Sequence, residues 1–174
     1  AGIETANHAL MIRAGMLRYI GPGIFIYDHF LTRVIQKIER IVRQEMDASG
    51  AVEVTLPILQ PQDLWEKTSR WADYLASQTM LTTTDRREYV YGLAPTAEEV
   101  VTDMARAMAE SWRQLPFTLY QIRTKFRNEL NLRGGLVRGC EFLMKDAYSF
   151  DLNQSGLDRS YESQRRAYER IFTR

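Results

Sequence analysis

The sequence predicts an α+β fold, an antiparallel sheet flanked by helices. Two stretches of period-two alternation, Phe117–Glu129 and Arg138–Phe150, are joined by a glycine-containing loop, the pattern of a long hairpin. Stretches with helical spacing of apolar residues precede and follow them, without the regular strand–helix–strand alternation of a parallel, doubly wound sheet. The 174 residues correspond to one domain at roughly 100–200 residues per domain, and no linker, repeat or low-complexity segment divides residues 1–174.

The elements follow in order. Leu31, Val34, Ile35, Ile38, Ile41, Val42 and Met46 form the stripe of an amphipathic helix that Gly50 stops. Val52, Val54 and Leu56 alternate with Glu53 and Thr55 as a strand closed by Pro57. A short helix is expected over Pro61–Trp71, a loop over Thr79–Thr84 and a strand over Glu88–Leu93. Thr96 opens a helix carrying Val100, Val101, Met104, Ala105, Met108 and Trp112, which ends before Pro116. Thr96 at the N-cap and Glu99 at the third helical position would make a capping box.

On the first hairpin strand Tyr120, Ile122 and Phe126 share one face, and Gln121, Arg123, Lys125, Arg127 and Glu129 the other, charged one. Leu130–Val137, with Gly134 and Gly135, is the loop. Leu157, Tyr161, Tyr168, Ile171 and Phe172 mark a closing helix. Gly21-Pro22-Gly23 lacks the rest of a dinucleotide-binding fingerprint and is a weak phosphate-loop signal.

Composition excludes several classes. With 45% hydrophobic and 26% charged residues, the chain is neither disordered nor collagen-like. Lys+Arg 23 against Asp+Glu 22 gives a net charge of +1, so any nucleic-acid contact needs a local basic patch. A single cysteine, Cys140, and the lack of CxxC or HExxH spacing point to a reducing, cytoplasmic setting without a zinc site. Cys140 reads as a small filler rather than a nucleophile, and His8 and His29 lack ligand-like spacing, so no metal ligands are expected. Trp65, Trp71 and Trp112 read as core or interface aromatics. The apolar runs fall far below the roughly 20 residues that span a bilayer. No basic segment followed by an apolar stretch marks a leader, so no membrane association is expected.

The hairpin holds the most chemistry. Arg127 and Glu129, two apart on a strand, place a guanidinium able to grip phosphate beside a carboxylate able to accept from an amino group. Arg138 and Phe142, four apart, add a second phosphate clamp and an aromatic surface on which a base can stack. ATP makes these complementary demands. The same charges also fit the solvated side of a half-buried sheet, and patterning alone leaves that choice open.

Lys125-Phe-Arg-Asn-Glu129, followed by a loop and Arg138-Gly-Cys-Glu-Phe-Leu-Met-Lys-Asp-Ala-Tyr-Ser-Phe150, resembles motif 2 of class II aminoacyl-tRNA synthetases in its prolyl-tRNA synthetase form. Motif 2 would span about 123–150, and the helix and strand over about 30–57 resemble motif 1. Tyr89–Val101 resembles the amino-acid-binding loop, with its Thr-x-Glu at 96–98. The resemblance implies a class II catalytic core that activates proline with ATP and Mg²⁺, without a tightly bound cofactor. The prolyl group would then pass to tRNA(Pro), in a homodimer formed through motif 1.

By the same resemblance Arg127 contacts the ATP α-phosphate and the amino-acid carboxylate, the one catalytic role assigned to a side chain. Glu129 takes the adenine amino group, Arg138 the γ-phosphate, and Phe142 stacks on adenine. Thr96 and Glu98 hold proline, with Glu98 pairing to its ammonium. The family's Leu-Pro-Leu-Gly turn is replaced by Asp28-His-Phe-Leu31, and Ala97 stands where histidine is common. The third motif has no counterpart in these residues, so the core is expected to be incomplete at the C-terminus and this piece inactive alone. Two other readings of the residues remain: a catalytically inactive synthetase-like dimerisation or regulatory module, and a basic RNA-binding domain.

Overall fold

A computed structural model describes residues 5–174. In chain order the elements are α1 (Ala6–Arg13), β1 (Leu17–Gly21), β2 (Ile24–Tyr27), α2 (His29–Ala48), β3 (Val52–Glu53), β4 (Leu59–Pro61), α3 (Gln62–Glu66) and α4 (Arg70–Ala76). They continue with β5 (Leu81–Thr84), β6 (Val90–Leu93), α5 (Glu98–Met108), β7 (Phe117–Phe126), β8 (Glu141–Phe150) and α6 (Gln154–Thr173). Contacts group these residues into two units. One comprises the chain up to Lys37, Ile58–Thr96 and Thr124–Leu143, and the other Ile38–Pro57, Ala97–Arg123 and Met144–Arg174. The helix α2 and the strands β7 and β8 contribute residues to both.

In the first unit β1 and β2 form an antiparallel hairpin, and β4, β6 and β5 a three-stranded antiparallel sheet with β6 in the middle. Trp65, Trp71 and Met80 are buried together, with Leu64, Tyr74 and Val90 packed around them. The first two tryptophans are therefore core residues, as expected. Asp28 explains why α2 starts where it does, because its Oδ1 accepts from the amides of Phe30 at 2.9 Å and Leu31 at 3.2 Å. Asp28 thus satisfies helix donors that would otherwise lack partners.

In the second unit β3 pairs with β7 in parallel, Val52 opposite Leu119 and Glu53 opposite Tyr120, and β7 neighbours β8. One core cluster joins Leu56, Ala97, Val101 and Leu119, and another joins Met46, Ala51 and Tyr120. Glu45 accepts from Arg170 at 2.5 Å and from Arg174 at 2.7 Å, so the end of α6 is held by a carboxylate of α2.

Several sequence expectations are corrected. The strand over Val52–Leu56 contracts to Val52–Glu53, and it pairs in parallel with β7, whereas β1–β2, β4–β6 and β5–β6 are antiparallel. Thr79–Thr84 is not all loop: Leu81–Thr84 is β5, missed because Thr82, Thr83 and Thr84 are exposed and leave no apolar alternation to read. The short helix over Pro61–Trp71 divides into α3 and α4, where Ser69 adopts a left-handed φ of 59°. Trp112 is 65% exposed on a single 3₁₀ turn and belongs to neither α5 nor a core. The charged face of β7 is not solvated, since Gln121 and Lys125 are each 1% exposed. Lys125 is therefore no part of a solvated sheet surface, whereas the Arg138 side chain is 47% exposed.

Candidate functional site

The ends of β7 and β8 fix the candidate residues through backbone bonds rather than through strand pleat. β7 stops at Phe126, whose amide donates to the Ala94 carbonyl at 3.0 Å. The next two amides turn to different partners, Arg127 to the Cys140 carbonyl and Asn128 to the Thr79 carbonyl, each at 2.9 Å. The Asn128 side-chain amide also donates to the Gln78 carbonyl at 2.9 Å. Arg127 and Glu129 thus lie in a tied loop and not on a strand running to residue 129. Arg138 lies before β8, in an isolated bridge with Arg133, and among these four residues only Phe142 is on a strand.

The residues still come together, in two pairs. The Arg127 guanidinium donates through Nε to the Pro95 carbonyl at 3.2 Å and lies 5.4 Å from the centroid of the Phe142 ring. A cation over an aromatic face is a favourable arrangement that also sets the guanidinium plane. Arg138 donates to Glu129 Oε2 from Nε at 2.8 Å, with its terminal nitrogen 2.6 Å from the same oxygen. The chain thereby places one guanidinium beside an aromatic ring and a second beside a carboxylate within the first unit.

Thr96 follows Pro95, the residue that Arg127 contacts. Its carbonyl accepts from Gln60 Nε2 at 3.2 Å, and Gln60 Oε1 accepts from the Trp65 indole N–H at 2.9 Å. Gln60 and Trp65 are both 0% exposed, so this relay sits in the core. Sequence reasoning missed Gln60 as a support for the loop. Its neighbours Leu59, Pro61 and Gln62 carry no periodic signal, and the side chain's role is visible only once Trp65 is packed beneath it.

The helix α5 begins one residue later than the expected capping box places it. The N-cap of α5 is Ala97, with no side-chain cap bond, and the helix opens at Glu98. Thr96 therefore precedes the cap. Glu99 is only 3% exposed and sits at the second helical position, where a carboxylate favours the positive end of the helix dipole. Glu98, in the second unit, is exposed. Cys140 is not on a regular strand face with Arg138 and Phe142, but its backbone links two loop segments.

Among the described residues no group of three or more His, Cys, Asp or Glu could hold a metal ion, and no helix is long and apolar enough to cross a membrane.

A family model described as the tRNA synthetase class II core domain (G, H, P, S and T) matches residues 81–174, which include Thr96, Glu98, Arg127, Glu129, Arg138 and Phe142. The chain belongs to this family. It is 50% identical over 171 residues to the proline–tRNA ligase of Syntrophotalea carbinolica, covering 98% of this chain and 30% of that protein. The proline–tRNA ligase of Gloeothece citriformis is 50% identical over 175 residues, covering 100% of this chain and 29% of its own length. The chain thus spans about 30% of the curated relatives it matches.

Among solved structures, Giardia lamblia prolyl-tRNA synthetase in complex with prolyl-adenylate superposes with a TM-score of 0.85 at 19% identity, over 94% of this chain and 34% of that one. The Cryptosporidium parvum prolyl-tRNA synthetase complexed with L-proline and AMP gives 0.76 at 16% identity, over 90% and 32%. At these identities the likeness shows a shared fold, which agrees with the α+β class II core expected from the sequence.

Proposed function

We propose that this chain supplies motifs 1 and 2 of a proline–tRNA ligase, which activates proline with ATP and passes the prolyl group to tRNA(Pro). The observation that carries the reading is the seat of Arg127, which touches Phe142 on one side and the Pro95 carbonyl, next to Thr96, on the other. A guanidinium there is placed to serve a nucleotide and an amino acid together. The identity of about 50% across the chain with proline–tRNA ligases supports the choice of amino acid.

In this reading an oxygen of the proline carboxylate attacks the α-phosphorus of ATP. The bond from that phosphorus to the pyrophosphate oxygen breaks, giving prolyl-adenylate and pyrophosphate. No side chain acts as nucleophile, and the work of the protein is positioning and charge stabilisation. Arg127 holds the α-phosphate and the carboxylate, Arg138 the γ-phosphate, Glu129 the adenine amino group and Phe142 the adenine face. Thr96 and Glu98 are assigned to proline, the Glu98 carboxylate answering the secondary ammonium. Magnesium is part of the ATP complex and enters with the phosphates as substrate. A tRNA hydroxyl then attacks the adenylate carbonyl and AMP leaves.

The reading includes a single catalytic domain, a cytoplasmic protein and a homodimer through α2. Phe30, Val34 and Ile38 on α2 are 54%, 44% and 53% exposed, apolar area that a second copy would cover. Proline-dependent exchange of labelled pyrophosphate into ATP, by the full-length protein carrying this sequence, tests the activity. Exchange that no amino acid stimulates would overturn it.

A further inference from the structure

Gly21-Pro22-Gly23, too incomplete for a phosphate loop, is the turn of the β1–β2 hairpin. Gly23 is where that turn meets the candidate nucleotide site. Its carbonyl accepts from the Cys140 amide at 2.9 Å, and the Cys140 carbonyl accepts from the Arg127 amide, also at 2.9 Å. One peptide-length relay therefore runs from Gly23 through Cys140 to Arg127. Cys140 itself lies two residues from Arg138 and two from Phe142.

The approach requires glycine. Gly23 has a φ of +68°, and a Cβ on it would fall 2.8 Å from the Cys140 nitrogen and 2.6 Å from Leu132 Cδ2. The leucine methyl can swing away, whereas the Cys140 nitrogen can move only by stretching the bond that holds it. The contact is reciprocal, because a Cβ on Gly139 would fall 2.9 Å from the Gly23 carbonyl oxygen. Gly21, in the same turn, has nothing within 4 Å of its would-be Cβ.

We propose that Gly23 is a positioning residue for nucleotide binding: its carbonyl fixes Cys140, and through Cys140 the spacing of Arg127 from Arg138 and Phe142. It acts on the nucleotide only through these residues. The inference rests on the reading of those three side chains as nucleotide contacts.

The test compares Gly23→Ala with two controls in the full-length protein. Gly15→Ala imposes left-handed strain at a φ of +70° with open space around the new methyl, and Gly21→Ala alters the same turn without a close neighbour. In proline-dependent pyrophosphate exchange, Gly23→Ala is expected to raise KM for ATP about tenfold or more, since misplacement by about 1 Å can cost a hundredfold. Both controls should keep the unsubstituted KM. A fall in kcat alone, which a smaller folded fraction would give, overturns the proposal, as does an equal KM shift in Gly15→Ala.

Hydrogen exchange on the unsubstituted protein covers the case in which Gly23→Ala does not fold. The amides of Cys140 and Arg127 should both exchange slowly, and rapid exchange at either overturns the relay. Failure of the unsubstituted protein to exchange pyrophosphate at all would instead count against the proposed function, and the amide measurement would still decide the relay.

Discussion

Arg138 is ion-paired with Glu129, both of its contacting nitrogens falling on the same carboxylate oxygen at 2.8 and 2.6 Å. The ATP assignment sends these two side chains to opposite ends of the nucleotide, one to the γ-phosphate and the other to the adenine amino group. Binding must then open the pair. The Arg138 side chain is 47% exposed, so the pair contributes about 0.2–1 kcal/mol, less than the roughly 1.5–3 kcal/mol of a charge-assisted phosphate contact. Opening is therefore favoured when a phosphate is present. Glu129→Gln should raise affinity for inorganic triphosphate, which has no adenine to recognise, by up to about fivefold in calorimetric titration. An unchanged triphosphate affinity would show that the pair does not restrain Arg138.

Glu98→Gln tests proline recognition at an exposed residue that opens α5 and is not its N-cap. The substitution keeps size and removes the charge that would face the proline ammonium. The Michaelis constant for proline should rise by about tenfold or more, equivalent to at least about 1.4 kcal/mol, with that for ATP changing far less. Equal effects on both substrates, or none, would remove Glu98 from the proline site.

The relay beneath Thr96 makes a stability prediction. In Gln60→Leu the buried Trp65 indole N–H loses its acceptor, and an orphaned buried donor costs roughly 1–3 kcal/mol. Urea unfolding should show that loss at an unchanged slope. Stability equal to that of the unsubstituted protein would mean that the indole finds another partner.

Lys145 sets a pH dependence. Burial holds its ammonium down at about 8, with the nearby Asp146 opposing the shift, and its Nζ sits 4.0 Å from the centroid of the Tyr168 ring while donating to the Tyr168 hydroxyl. The folded state gives up this proton more readily than the unfolded chain, whose lysine keeps its ordinary value near 10.5. Stability from this group should rise as the pH passes upward from about 8 toward 10.5, and the cost of burying the charge persists below 8. Chemical unfolding at pH 7, 8, 9 and 10 should show this rise, and Lys145→Met should flatten it. An equal slope in the variant would assign the pH dependence to other groups.

The long amphipathic helices were legible in the sequence because half-buried helices keep a period. Leu31 and Met46 on α2 are buried where the stripe puts them, while on α6 the stripe residues Leu157, Tyr161, Tyr168 and Phe172 are exposed and the buried residue is Ala167, outside that stripe. The N-terminal elements were not, since α1 buries no side chain and Tyr19, Ile20, Ile24 and Ile26 in the β1–β2 hairpin are substantially exposed. At the site, alternation brought forward Arg127, Glu129, Arg138 and Phe142, but for a reason that does not survive. Strand pleat governs only Phe142, whereas the others are held by the amide of Arg127 on Cys140, the bridge from Arg133 to Arg138 and the pair between Arg138 and Glu129. Such contacts join residues far apart in sequence or in irregular backbone, where no period records them.

The most direct measurement compares Arg127→Ala with the unsubstituted full-length protein in proline-dependent pyrophosphate exchange, alongside calorimetric titration of ATP. Arg127 donates to the Pro95 carbonyl and lies beside Phe142. Its removal should weaken ATP binding by roughly tenfold to a hundredfold, about 1.5–3 kcal/mol, and reduce exchange by at least as much, because the same guanidinium also serves the attacking carboxylate. ATP affinity and exchange both equal to those of the unsubstituted protein would contradict the account.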